Sequence, residues 1–240
     1  MMAAGLGPGQ ATLESGSAAM RAVMRVLTKV ALHDVPVLLR GEGGSGKSVL
    51  ARALHRASPR RDHPLVTLDG QALRKTDLAS ARLLAERLHQ AQGGTLLLEE
   101  VTALPERWQV TLASVLERPG ERTAWARVVA TTHRDLEVAV KAGEFREDLL
   151  GRLNIVEVRV PPLRDRPEDI VPLAREFLQA FSFDRPTPTL TPRAQRALVA
   201  YPWPGNIREL RNAMQRAVVL SHSADLDADA LPPKLLGPGP

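Results

Sequence analysis

The stretch Gly41-Glu42-Gly43-Gly44-Ser45-Gly46-Lys47-Ser48 combines residue types and spacing that do chemistry on an anion. Glycines let a backbone curl around a phosphate with its N–H groups turned inward. A helix opening directly behind them points its positive end at the same charge. Lys47 would then reach the β- and γ-phosphates of ATP or a closely similar nucleoside triphosphate. The Ser48 hydroxyl would join the shell of a magnesium ion, Mg2+. The plainer alternative is a glycine-rich turn closing a strand. The apolar run Val35–Leu39 before the loop and the helical pattern after it supply the context that phosphate binding requires.

A second group of chemical residues ends the run Gly93-Gly94-Thr95-Leu96-Leu97-Leu98-Glu99-Glu100. An apolar strand that finishes in two acids, downstream of a phosphate loop, is suited to holding a metal at one acid and polarising water with the other. Alone, such a pair reads as a solvated strand end. Arg146 and Arg152 stand among Glu144, Glu147 and Asp148, and by residue type they read as surface ion pairs.

Positioning these groups requires a parallel sheet. Short apolar runs alternate with helical patterns, which predicts strands at Val35–Leu39, Leu65–Leu68, Thr95–Leu98, Arg127–Thr131 and Ile155–Val160. Helices are expected at Lys47–Ala57, Leu78–Gln90, Glu106–Leu116 and Leu136–Ala142, with a leading helix at Ala18–Leu32. After Pro161-Pro162 the pattern changes. From Pro167 onward it predicts helices alone, at Glu168–Phe181, Pro192–Ala200 and Asn206–Ser221, with prolines between them. The expected organisation is an α/β domain over 13–164, a small all-helical domain over 165–232, and tails at 1–12 and 233–240.

Composition narrows the function classes. The 240 residues are 44% hydrophobic and 25% charged, as in soluble globular proteins, and contain no cysteine, which removes disulfides and thiolate metal sites. The N-terminus has neither the basic start nor the apolar run of a signal peptide, and no stretch approaches a membrane span. A soluble, cytoplasmic protein is expected. The formal charge of +5 is compatible with a nucleic-acid partner, but no long basic run occurs, and solvated arginine-rich helix faces account for it as well.

Together with Gly143-Glu144-Phe145-Arg146-Glu147-Asp148-Leu149, Pro161-Pro162-Leu163-Arg164-Asp165-Arg166 and Trp203-Pro204-Gly205-Asn206-Ile207-Arg208-Glu209-Leu210, these motifs resemble the AAA+ domain of bacterial enhancer-binding proteins, the activators of sigma-54 RNA polymerase. The resemblance runs from about Glu14 to Leu235. It implies a P-loop AAA+ fold, a five-stranded parallel sheet with a helical lid, assembling as a ring-like homo-oligomer such as a hexamer with ATP bound between subunits. It further implies that Arg146 and Arg152 reach into a neighbour's site, where an arginine in trans stabilises charge on the transferring phosphoryl group. Arg208 is implied as a lid residue sensing the phosphates, and His133 as the first sensor, where an Asn is common.

The chain departs from that family at three places. Glu99 stands where the family has the Asp of its magnesium-binding pair. Asp69 stands where it has an Asn that engages the catalytic glutamate, the position of Glu100, so a second carboxylate is expected to repel Glu100. The loop spelled Gly-Ala-Phe-Thr-Gly-Ala, which touches sigma-54, is absent: Leu73-Arg74-Lys75-Thr76-Asp77 and one helix occupy the interval before Gly93. The expected function is therefore an ATPase module of a transcriptional regulator that binds nucleotide without remodelling sigma-54 polymerase. RNA polymerase or another transcription factor remains its implied partner, and DNA is met only through a separate domain. A non-hydrolysing nucleotide switch is the rival reading.

Overall fold

A computed structural model describes residues 15–75, 81–117, 126–183, 185–221 and 223–235. By their contacts they form two compact units. One is Val23–Glu42 with Gly46–Val160; the other takes in the described residues of Met1–Ala22, Gly43–Ser45 and Pro161–Pro240.

The first unit is built on strands β1 (Val37–Arg40), β2 (Leu65–Asp69), β3 (Thr95–Glu99), β4 (Arg127–Thr132) and β5 (Val156–Arg159), in the order β2-β3-β4-β1-β5. Every pairing is parallel, with Leu39 opposite Thr131 and Asp69 opposite Glu99. Parallel strands need helical crossovers, which cover both faces, so β3 and β4 are buried along nearly their whole length. The crossovers are α2 (Lys47–Arg56), α3 (Gly70–Lys75), α4 (Ala81–Gln90), α5 (Glu106–Glu117), α6 (Leu136–Lys141) and α7 (Glu147–Leu153), after the leading α1 (Ala18–Ala31). Leu38, Leu96, Leu98, Trp108 and Leu112 are fully buried at the centre of the core. Arg127 opens β4 and is 4% exposed. Its guanidinium donates to the carbonyls of Val30, Ala31 and Val35 at 2.9–3.3 Å, and burial lowers its pKa.

The expected strands are all present, within two residues at each end. The expected helices are present too, although the first residues of the one predicted at Leu78–Gln90 lie outside the described residues. Two helices of this unit were not predicted. Helix α3 follows β2 without a loop, because Asp69 caps it directly through bonds from Gln71 N and Ala72 N. Helix α7 is only seven residues long and has Gly151 inside it, too short and too interrupted to show a period.

In the second unit α8 (Pro167–Ser182), α9 (Pro192–Ala200) and α10 (Asn206–Leu220) pack around Leu178, Leu198, Trp203, Leu210 and Met214. Pro167 and Pro192 open their helices at positions where a missing N–H goes unnoticed, and Thr191 caps α9 by accepting from Ala194 N. Helices alone were expected after Pro167. The structure corrects this: β6 (Thr189–Leu190) pairs in parallel with β7 (Asp225–Leu226). Two-residue strands leave no alternation in a sequence. The short strap Ser15–Ser17 is tied to α8, since the Asp169 carboxylate accepts from Ser15 Oγ at 2.7 Å and Gly16 N at 3.0 Å.

Candidate functional site

The phosphate loop begins where β1 leaves the sheet. Arg40, its last residue, is clamped by Glu137 through paired bonds of 2.8 Å, and Gly41 N donates to Thr132 O on β4 at 3.2 Å. The loop therefore hangs from the two central strands. Gly46 sits at the head of α2 with φ of 103°, a conformation that a side chain would strain, so the turn into the helix depends on glycine. Lys47, the first residue of α2, is 5% exposed. Its ammonium donates to the carbonyls of Gly41 at 2.8 Å and Glu42 at 3.0 Å and lies 3.7 Å from Glu100 Oε1. A cation is thus collected in the mouth of the loop, and Ser48 follows it on the first turn of α2.

Strand β3 delivers the acids. Glu99 Oε1 lies 3.4 Å from Arg52 Nη2. Ser48 and Glu99 together offer hydroxyl and carboxylate oxygens, the hard donors Mg2+ prefers. Among the described residues no cluster of three or more His, Cys, Asp or Glu could hold a metal alone. That donor set fits an ion that shares its shell with substrate phosphates and water.

Glu100 leaves the strand in the left-handed region, φ 51° and ψ 56°, which non-glycine residues adopt rarely and at functional sites disproportionately. Its amide donates to Thr131 Oγ1 at 3.3 Å. Its carboxylate is held at both oxygens. Oε2 faces His133 Nδ1 at 2.5 Å and accepts from His133 N at 3.3 Å, while Oε1 faces Lys47. Glu100 and His133 line a cavity of about 280 Å³ with Gln71, Arg74, Thr102 and Arg134. Asp69 Oδ1 accepts from the first amides of α3, Gln71 N at 2.8 Å and Ala72 N at 3.4 Å, and the Asp69 backbone registers with Glu99. The structure thus gathers Lys47, Glu100 and His133.

Arg146 and Arg152 frame α7. Arg146 grips Asp148 with Nε at 3.0 Å and Nη2 at 2.7 Å, which holds the Asp148 carboxyl below its ordinary range and raises the guanidinium. Arg152 donates to Ala113 O at 2.5 Å and lies 3.3 Å from Glu117. Both arginines are satisfied within their own chain.

In the helical unit Arg208 is exposed on the first turn of α10. Two neighbours that the sequence did not single out do more local work there. Asn206 is fully buried with φ of 53°. Its Oδ1 accepts from Leu163 N at 2.7 Å and its Nδ2 donates to Gly43 O at 3.1 Å, while Ile207 N donates to Gly44 O at 3.0 Å. Arg166, 4% exposed, donates to Ser45 O at 2.6 Å. Asn tolerates the left-handed region, so Asn206 after Pro204-Gly205 was the available signal. Arg166 gave none beyond its place in the Pro161–Arg166 run.

A five-stranded parallel sheet carrying a glycine-rich loop between β1 and α2, with an acid pair at the end of β3, defines a P-loop NTPase fold of the AAA+ class. Residues 13–159 match the Sigma-54 interaction domain and residues 164–240 the AAA+ ATPase lid domain. The chain belongs to the family of sigma-54 interaction domains found in transcriptional regulators. It is 42% identical to the transcriptional regulatory protein ZraR of Klebsiella oxytoca, over 92% of this chain and 55% of that protein. It is 40% identical to the alginate biosynthesis transcriptional regulatory protein AlgB of Pseudomonas aeruginosa, over 91% and 54% respectively. The chain spans about half the length of these relatives. The crystal structure of NtrX from Brucella abortus in complex with ATP superposes with a TM-score of 0.79 at 30% identity, covering 95% of this chain and 58% of that one. No helix among the described residues is long and apolar enough to cross a membrane.

Proposed function

We propose that this chain binds ATP with magnesium through Gly41–Ser48 and hydrolyses it as one subunit of a ring-like homo-oligomer, a hexamer being the first size to test. The observation that carries the reading is Lys47, buried at the mouth of the loop and within 4 Å of the Glu100 carboxylate. NtrX, solved with ATP and with ADP, supports the choice of nucleotide. Lys47 exchanges the Gly41 and Glu42 carbonyls for phosphate oxygens, and Ser48 and Glu99 hold the magnesium ion, which when bound neutralises phosphate charge. Glu100 accepts a proton from the attacking water as its oxygen bonds to the γ-phosphorus and the bond to the β-phosphate oxygen breaks, releasing ADP. Arg146 and Arg152 exchange Asp148 and Glu117 for the developing charge in a neighbouring subunit's site. Arg208 reads the phosphates from the lid.

The output differs from that of a full activator. Without Gly-Ala-Phe-Thr-Gly-Ala the chain does not remodel sigma-54 polymerase. It acts in the cytoplasm on RNA polymerase or another transcription factor, meeting DNA only through a separate domain. A non-hydrolysing nucleotide switch is the second reading. It is favoured by the full engagement of Glu100 and by both arginines being paired at home. ATP hydrolysis measured with magnesium across protein concentrations separates the two, with Lys47→Ala as the blank. Turnover per subunit that climbs with concentration and vanishes in the blank is the expected result. Tight ATP binding with no turnover above the blank selects the switch, and open-complex formation with sigma-54 polymerase would refute the loss of remodelling.

A further inference from the structure

We propose that His133 is a latch on Glu100: a positioning residue that holds the glutamate in a resting geometry rather than a contact for phosphate. The proposal rests on the hydrolytic reading of Glu100. It starts from where the hydrogen bonds go. Oε2 of Glu100 takes both the ring and the backbone amide of His133, at 2.5 Å and 3.3 Å. Both bonds converge on one oxygen and fix the orientation of the carboxylate. Glu100 also has an unusual backbone, and the amide of His133 together with Thr131 Oγ1 helps hold that turn where it is.

Two further observations make His133 the controlling partner. Among the described residues Lys47 also faces this carboxylate, at 3.7 Å, and arriving phosphates would draw it away, leaving the imidazole in place. His133 rides on the turn between β4 and α6, half-exposed beside the cavity it shares with Glu100, so its ring can swing without unpacking the core. With its proton on Nδ1 the ring donates to Oε2. Release of that bond frees Oε2 to take the proton of a water in the cavity.

The test combines a spectroscopic and a kinetic measurement on the 240-residue chain. Nitrogen-15 spectra of the imidazoles report the tautomer at His133 whether or not ATP is turned over. His133 is expected to carry its proton on Nδ1 in the nucleotide-free chain, and Glu100→Ala is expected to abolish that preference. A ring indifferent to Glu100→Ala overturns the latch. In the ATPase assay, His133→Ala is expected to raise kcat about three- to tenfold with the ATP dissociation constant unchanged within about twofold, since a hydrogen bond to a charged group is removed from the base alone. A fall in kcat, or a loss of ATP affinity, would show His133 serving the phosphate or the water instead. Should neither protein turn over ATP, the hydrolytic reading fails while the tautomer experiment still decides whether His133 holds Glu100.

Discussion

Substituting Gly70 probes the approach of β2 and α3 to Glu100. Gly70 is buried at the start of α3, and a methyl group there would meet the Glu100 carbonyl oxygen at 2.5 Å, Leu104 N at 3.2 Å and Glu99 O at 3.3 Å. All three are backbone atoms, so no side chain can rotate out of the way. Ordinary contact begins near 3.4 Å, so the strand end must open by about 0.9 Å. Overpacking of this kind costs about 1–3 kcal/mol, and the rigidity of the neighbours places Gly70→Ala at about 2–3 kcal/mol. For a chain of this size that lowers the melting temperature by about 5–10 °C, read by circular dichroism. The displaced atom belongs to Glu100, so kcat should fall further than stability alone accounts for. ATP affinity should hold, because Gly41–Ser48 hangs from β1 and β4. A melting temperature within about 1 °C of the parent would refute the contact. A loss of ATP affinity matching the loss of kcat would refute the separation of binding from chemistry.

Gly151 gives the opposite sign: it is exposed within α7 and a methyl group there meets nothing within 4 Å, so Gly151→Ala should stabilise the chain by about 0.5–1 kcal/mol in the same melt. Lys47→Ala should weaken ATP binding by on the order of tenfold to a hundredfold in a calorimetric titration, the loss of a charge-assisted bond. Glu137, bonded first of all by the Arg40 guanidinium, has its carboxyl held down to about 2 from an ordinary 4.5. A depressed folded pKa stabilises above the unfolded value, so this contribution is intact above pH 4.5 and is lost as pH falls toward 2. Melting temperatures across that window should fall less steeply in Arg40→Gln than in the parent.

The parts of the site legible in the sequence are those whose chemistry is local. Eight consecutive residues specify the phosphate loop, and a β3 that is buried to its last residue announces the acid pair by its apolar run. What stayed hidden depends on approach across the chain. His133 gives no sign of meeting Glu100, since that contact exists only because β3 and β4 are neighbours in the sheet. Asp69 gives no sign in the sequence that its carboxylate caps the helix beginning one residue later. Asn206 and Arg166 look like ordinary polar residues until the fold buries them against the carbonyls of Gly43 and Ser45.

The phosphate loop and the ends of β2 and β3 are held by different parts of the sheet. Asp69 and Glu99 are register partners at the ends of β2 and β3, and α3 follows β2 directly. The loop, by contrast, is fixed through Gly41 N on Thr132 O and through Arg40 opposite Thr132, all on β1 and β4. Changes along the β2–β3 edge therefore leave the amides that would surround a phosphate where they are. Glu100 is the residue that belongs to both sides: its backbone packs on Gly70 at the β2 edge, and its carboxylate rests on Lys47 and on His133 behind β4. Perturbing Glu100 from opposite sides should therefore have unlike effects, slower turnover from Gly70→Ala and faster turnover from His133→Ala. Equal effects would mean that the two contacts do not converge on one side chain.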